Sequence, residues 1–320
     1  MCTDQGDPQR LFFIVGAPRS GTTLLQRMLD AHPQMAVARE THFMNKIWSR
    51  RQVFGDIASD TNWRKLLAAC ERLPPFVDGG YDGPSFTKKV ENGPRRYGPL
   101  FRSLLVELVG SGDYALLGEK TPQHILYVSQ IEELLPGARF LHIVRDPRAV
   151  TASMQRVPFS RGEVWLDARD WRSRIHSIRS LSADLSVLVY TIRYEDLVGE
   201  PVPTLHAICS FLGLEFDGAM LQYHQTPMTG YNVDINPWVR NAQRPLFVEG
   251  IDRWKHELKP SDIRDIEAQV WREMRQFDYK LDTNVSLLVY DVFRLAVKYN
   301  ILRVKVRMRR RHAIFRGLIL

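Results

Sequence analysis

The sequence predicts an α/β fold of three layers, with helices on both sides of a central parallel sheet of about five strands and a phosphate-binding loop (P-loop) after the first strand. Three observations carry this. Leu11 to Val15 is an unbroken apolar run of the kind a parallel sheet buries on both faces, and Gly16 through Gly21 forces a tight turn directly after it. Leu24, Leu25, Met28 and Leu29 then recur at helical spacing, so the backbone N–H groups of the turn and the first helical residues converge as an anion site. Finally, 320 residues of 44% hydrophobic composition bury a large core, as one big α/β domain or two small ones.

The turn Gly16-Ala17-Pro18-Arg19-Ser20-Gly21-Thr22-Thr23 has the glycine spacing of a nucleotide-triphosphatase loop, but Thr22 stands where that motif requires lysine. The cation that reaches the outer phosphates of a triphosphate is missing, which disfavours ATP and GTP. Arg19, Ser20, Gly21, Thr22 and Thr23 instead offer a guanidinium, hydroxyls and amides to a single terminal phosphate, or to an oxygen bridging phosphate and a small tetrahedral group. No metal is required for that.

Met35 to Ala38 is a second strand, and Glu40 and His42 fall just past its carboxyl end. Open parallel sheets bind ligands there, so either residue is placed as a proton acceptor. Trp63 to Cys70 is helical, whereas Pro74 to Pro99 is rich in Gly and Pro and reads as a long loop, either a lid or acceptor-binding segment or a disordered surface excursion. Helical spacing resumes from Phe101 to Val109.

Tyr114 to Gly118 is the third strand, followed by Lys120, which can place positive charge on a transferring group. Gln123 to Leu135 is a helix stopped by Pro136-Gly137. Arg139 to Val144 is a fourth strand delivering Arg145, with a helix from Pro147 or Arg148 that carries Ser153; this pair can grip a second phosphate. Leu185 to Ile192 is a fifth strand, after which Tyr194 faces a nucleotide or packs. Helices follow at Thr204 to Leu212 and Ile263 to Phe277, with Tyr223 to Phe247 irregular between them.

The formal charge of +8 is concentrated at one end. Nine Lys and Arg residues follow Asp291 with no acid among them, and setting them aside leaves the remainder near −1. The basicity belongs to a tail, and a nucleic-acid-binding surface is not implied. Residues 1–10 are polar and only five consecutive apolar residues follow, too few for a signal core or a membrane span, so a cytoplasmic protein is expected. Cys2, Cys70 and Cys209 lack metal-ligand spacing, and no His-x-x-x-His, Cys-x-x-Cys or nucleophile elbow supports metal or serine hydrolysis.

Two anion grips about 125 residues apart, the first without the triphosphatase lysine, resemble the sulfotransferase family. The likeness covers roughly residues 11–280, leaving 1–10 as a polar tail and 281–320 as a basic extension. The resemblance implies 3′-phosphoadenosine 5′-phosphosulfate as donor, with Gly16 to Thr23 on its 5′-phosphosulfate. Val144-Arg145-Asp146-Pro147-Arg148 is similar to the family's 3′-phosphate segment, in which an arginine and a serine eight residues later, here Arg145 and Ser153, hold that phosphate. Arg193-Tyr194-Glu195-Asp196-Leu197 resembles a third segment whose tyrosine lines the nucleotide.

Leu29-Asp30-Ala31-His32-Pro33 and the pair Glu40-Thr41 are closest to the protein-tyrosine sulfotransferase branch. That likeness implies Glu40 as general base, with Lys120 and Arg19 stabilising the transition state. Arg39 departs from the acidic neighbour of that branch, and the acceptor-binding stretches do not match, so the donor carries over better than the acceptor: a small molecule, glycan, lipid or peptide hydroxyl. The residues leave open a kinase-like phosphotransferase and a silent nucleotide-binding protein docked by its basic tail. Oligomer formation and peripheral membrane contact through that tail stay open as well.

Overall fold

The computed structural model describes residues 10–179, 187–226, 239 and 242–315. In chain order come β1 (Arg10–Gly16), α1 (Thr22–Asp30), β2 (Met35–Ala38), α2 (Asp60–Cys70), α3 (Tyr97–Val109), β3 (Leu116–Lys120), α4 (Val128–Leu134), β4 (Arg139–Val144), α5 (Pro147–Met154), α6 (Val164–Arg179), β5 (Leu188–Arg193), α7 (Pro201–Leu212), α8 (Pro260–Gln276) and α9 (Val285–Phe315), with shorter helical segments between them. The chain divides into two compact units: Met1–Arg145 with Arg174–Ile251, and Asp146–Ser173 with Asp252–Leu320.

The first unit is a three-layer α/β/α fold around a five-stranded sheet of order β2-β3-β1-β4-β5, parallel throughout. Period-two alternation along β1 explains why both faces are covered. Leu11, Phe13 and Val15 join Leu66 of α2, Phe101 and Leu104 of α3 and Ile131 of α4 in one core; Phe12 and Ile14 join Leu25 and Met28 of α1 and Leu205 and Ile208 of α7 in the other. Phe13 stacks on Phe140 at 5.6 Å, which locks β1 to β4. A parallel sheet sends every strand's carboxyl end to one edge, and β1 lies in the middle with β3 and β4 on opposite sides, leaving a crevice beyond its end.

Three local readings of the sequence are corrected. The third strand runs from Leu116 through Lys120, so Lys120 is its last residue rather than one beyond it. Its charged residues hid it: both are buried, and the partners that permit this come from other segments. The stretch 74–99 is not a long loop, because it contains helices at Pro74–Val77 and Gly83–Val90 and the start of α3. Pro74, Pro75, Pro84 and Pro99 lie in first helical turns, where a missing N–H costs nothing, and only Pro94 falls in a connection between helices; Asp82 accepts from Ser85 N at 3.0 Å as a cap, and buried Phe86 stacks on Phe76. The helix expected over Gln123 to Leu135 is broken at Tyr127 into a 3₁₀ turn, Pro122–Leu126, and α4. The fifth strand begins at Leu188; the expected start at Leu185 and most of the irregular stretch after Tyr223 lie outside the described residues.

The second unit is helical. Trp165, Ala268, Leu288 and Leu295 form its core, joining α6, α8 and α9. Arg148, buried on α5, donates to Asp146 at 2.7 Å and to Glu267 at 2.8 Å and stacks over Trp254 at 4.0 Å, so its charge is matched on every side.

Candidate active site

The site is assembled at the carboxyl edge of the first unit's sheet. After β1 the chain turns through Arg19 at φ 71° and Gly21 at φ 97°, and α1 begins at Thr22. A non-glycine residue held in the left-handed region is strained, and such strain concentrates at ligand-holding loops. The glycines at the two ends of the loop are dictated by close approaches. A Cβ at Gly16 would stand 2.5 Å from the Ile143 carbonyl of β4, and one at Gly21 would stand 2.3 Å from the Tyr194 ring.

Tyr194, at the end of β5, therefore lies against the loop rather than merely in the core. The Arg145 guanidinium, just past β4, sits 4.2 Å from the centre of the Tyr194 ring, donates to the Arg19 carbonyl at 3.3 Å and to the Gly250 carbonyl at 3.1 Å. Loop, arginine and tyrosine thus form one surface. Two buried polar atoms on it, Ser20 Oγ and Arg145 Nε, have no hydrogen-bond partner among the described residues. Ser153 belongs to the second unit, buried near the end of α5.

The other half of the site joins β2, β3 and α1. Lys120, fully buried, donates to Glu40 Oε1 at 2.5 Å and to the Thr23 hydroxyl at 3.4 Å. His42 Nε2 faces Glu40 Oε2 at 3.2 Å. Asn45, whose amide nitrogen donates to Gln123 Oε1 at 2.8 Å, also points that nitrogen at His42 Nδ1 at 3.2 Å, so the ring proton of a neutral His42 sits on Nε2 and is donated to Glu40. Burial alone would raise the Glu40 carboxyl. The Lys120 ammonium, together with His42, outweighs that and holds it far below the usual carboxylate range.

Sequence reasoning passed over Glu119. Its neighbour Lys120 faces the site, so Glu119 points to the opposite face of β3. There, fully buried, its Oε1 accepts from Thr41 N at 3.1 Å, from Thr41 Oγ1 at 2.9 Å and from Thr121 Oγ1, while Oε2 accepts from His124 Nδ1 at 3.0 Å. The His124 Nε2 in turn accepts from Met44 N at 3.4 Å. Burial pushes this carboxyl up, and His124 with the hydroxyl and backbone donors brings it down below its ordinary value. One carboxylate thereby pins both segments that present Glu40, His42 and Lys120. The only sequence signal was a Glu-Lys-Thr run at a strand end.

The sequence matches the model described as the Sulfotransferase family over residues 12–218. Among curated relatives, protein-tyrosine sulfotransferase A of Caenorhabditis elegans is 25% identical over 85% of this chain and 68% of its own length. The Drosophila melanogaster protein-tyrosine sulfotransferase is 27% identical over 80% of this chain and 49% of its own length. The chain thus spans between about half and two thirds of these relatives. In fold it is similar to the sulfotransferase domain from the curacin biosynthetic pathway, with TM-score 0.63 and 21% identity over 86% of this chain and 100% of that one. The sulfotransferase domain of the Synechococcus PCC 7002 olefin synthase gives TM-score 0.58 and 24% identity over 87% and 98%. A phosphate loop without the triphosphatase lysine, the lysine–carboxylate pair beside it and a family match over well over half the sequence agree, and the chain belongs to the sulfotransferase family.

Proposed function

We propose that this protein moves the sulfuryl group of 3′-phosphoadenosine 5′-phosphosulfate to an acceptor hydroxyl by in-line transfer, with Glu40 as the general base. The observation that carries the reading is the buried Lys120 ammonium shared between Glu40 and Thr23. It ties a carboxylate able to take a proton to a loop able to hold an anion. The unpartnered Ser20 Oγ and Arg145 Nε fit the same ligand, since buried polar atoms are seldom left without a partner and phosphate oxygens supply one.

On this reading the donor brings an activated sulfuryl group with a phosphate as its leaving group, and the protein mainly positions and neutralises. Arg19, Ser20, Gly21, Thr22 and Thr23 hold the 5′ end, Arg145 the 3′-phosphate, and Tyr194 the adenosine side. Glu40 is ionised at neutral pH but, clamped by Lys120, is a weak base. As Lys120 turns its hydrogen bonds toward the charge developing on the sulfuryl oxygens, Glu40 regains the basicity of an ordinary carboxylate and takes the acceptor's proton. His42 holds Oε2 throughout, leaving Oε1 for that proton. The relatives' names favour a peptide tyrosine as the acceptor.

Incubation with labelled donor and a panel of hydroxyl compounds, tyrosine peptides first, should yield a sulfated product identified by mass. Glu40→Gln should abolish turnover and keep binding of adenosine 3′,5′-bisphosphate; full activity in that variant removes Glu40 from the mechanism. Removing the Lys120 charge should cost on the order of 10²-fold or more in turnover. Magnesium-dependent ATP turnover, with no transfer from the sulfated donor, would overturn the reading.

A further inference from the structure

The helix α9 of the second unit, Val285–Phe315, packs with one side only over residues 286–301. Leu288, Asp291 and Leu295, spaced three and four residues apart, are buried, and Leu288 and Leu295 pack in the core with Ala268 of α8. The opposite side is apolar and open to solvent: Val289 is 67% exposed, Tyr290 64% and Phe293 71%, and the stripe continues through Val297 and Ile301. Residues 289, 293 and 297 follow the four-residue spacing of one helix face, so this is a continuous apolar strip rather than scattered side chains.

Charge selects what covers it. Asp291, the last acid of the sequence, is turned inward, 3.4 Å from Arg264 and 3.0 Å from Arg294, so it contributes no negative charge to the exposed strip. Beyond Ile301 the sequence continues with Arg303, Lys305, Arg307, Arg309, Arg310, Arg311 and Arg316 and no acid. Two copies paired along this helix would both bring these cations and no acid to answer them. An anionic surface answers them all, and aromatic residues such as Tyr290 and Phe293 suit the boundary between headgroups and acyl chains.

We infer that α9 is an interfacial helix that lies on an anionic lipid bilayer, with Val289, Phe293 and Val297 in the acyl boundary and the arginine-rich end on the headgroups. No described helix is long and apolar enough to cross a membrane, so the contact is peripheral. The inference is independent of the transfer chemistry, since it uses only the second unit.

The test is co-sedimentation of the full chain with vesicles of phosphatidylcholine alone and of phosphatidylcholine with phosphatidylserine. Binding should require phosphatidylserine and weaken as salt rises. Phe293→Asp with Val297→Asp should abolish it. Arg309→Glu, Arg310→Glu and Arg311→Glu together should weaken it on the order of 10²-fold. Both variants alter exposed or tail positions, and unchanged circular dichroism and bisphosphate binding would establish that each still folds. No binding to phosphatidylserine vesicles at low salt, equal binding by the variants, or a dimer in sedimentation equilibrium that Phe293→Asp dissolves would each overturn the inference.

Discussion

Glu119 concentrates the most physical chemistry in one side chain, because a fully buried carboxylate accepts four hydrogen bonds and so holds two segments at once. In Glu119→Gln the new amide group confronts the His124 Nδ1 proton, and the ring can turn its proton away only by losing the bond from Met44 N. The variant should be less stable by about 1–3 kcal/mol in urea unfolding, the range for an unsatisfied buried polar group. The wild-type carboxyl is lower in the folded chain than in the unfolded one. Its contribution is therefore complete above the ordinary carboxylate range and fades as pH falls, and the variant's acid limb should be shallower.

His142 titrates with the opposite ionic logic. Burial on β4 pushes its imidazole down to about 4, whereas an unfolded histidine titrates near 6.5. Between those values the unfolded chain binds the extra proton, so the folded state loses stability as pH falls from about 6.5 to about 4. Unfolding midpoints measured across that window should show the slope, and His142→Gln should flatten it; an unchanged slope would mean another group is responsible. Glu40 and Lys120 were legible as candidates because strand ends in a parallel sheet face the ligand edge, and the structure brings the two together there. Glu119 was not, since a carboxylate inside a strand makes sense only once Thr41, Thr121 and His124 are seen around it.

At the scale of elements, close approaches decide where glycine is needed. Gly98 opens α3 where a Cβ would stand 2.2 Å from the Leu134 carbonyl of α4, a backbone atom that cannot swing aside. Gly98→Ala should cost about 1–3 kcal/mol of stability by overpacking while leaving bisphosphate affinity unchanged, as thermal unfolding and calorimetry can separate. A neutral result would show that the two helices slide freely. All five strands were located by short apolar runs, because most of the sheet is buried on both faces, but the charged end of β3 was not read as strand. The helices of 74–99 were not, because Pro and Gly there mark helix starts and tight packing, the same residue types that elsewhere mark loops.

Over the whole molecule, the charge is divided between a nearly neutral body and a basic end, and the candidate site lies in the body. The phosphate loop could be read from its glycine spacing and missing lysine alone. What the sequence could not give is the way Tyr194 and Arg145, just past the ends of different strands, meet at that loop through one cation–π contact and the Arg145 bond to the Arg19 carbonyl. Through that convergence, we propose, the separate motifs act as one anion-binding surface. Calorimetric titration with adenosine 3′,5′-bisphosphate decides whether they do. The bisphosphate should bind, adenosine 5′-phosphate should bind much more weakly, and Arg145→Ala should erase most of the difference between them; a folded protein that ignores the bisphosphate, or an Arg145→Ala variant that still discriminates fully, would rule out a 3′-phosphate grip at Arg145.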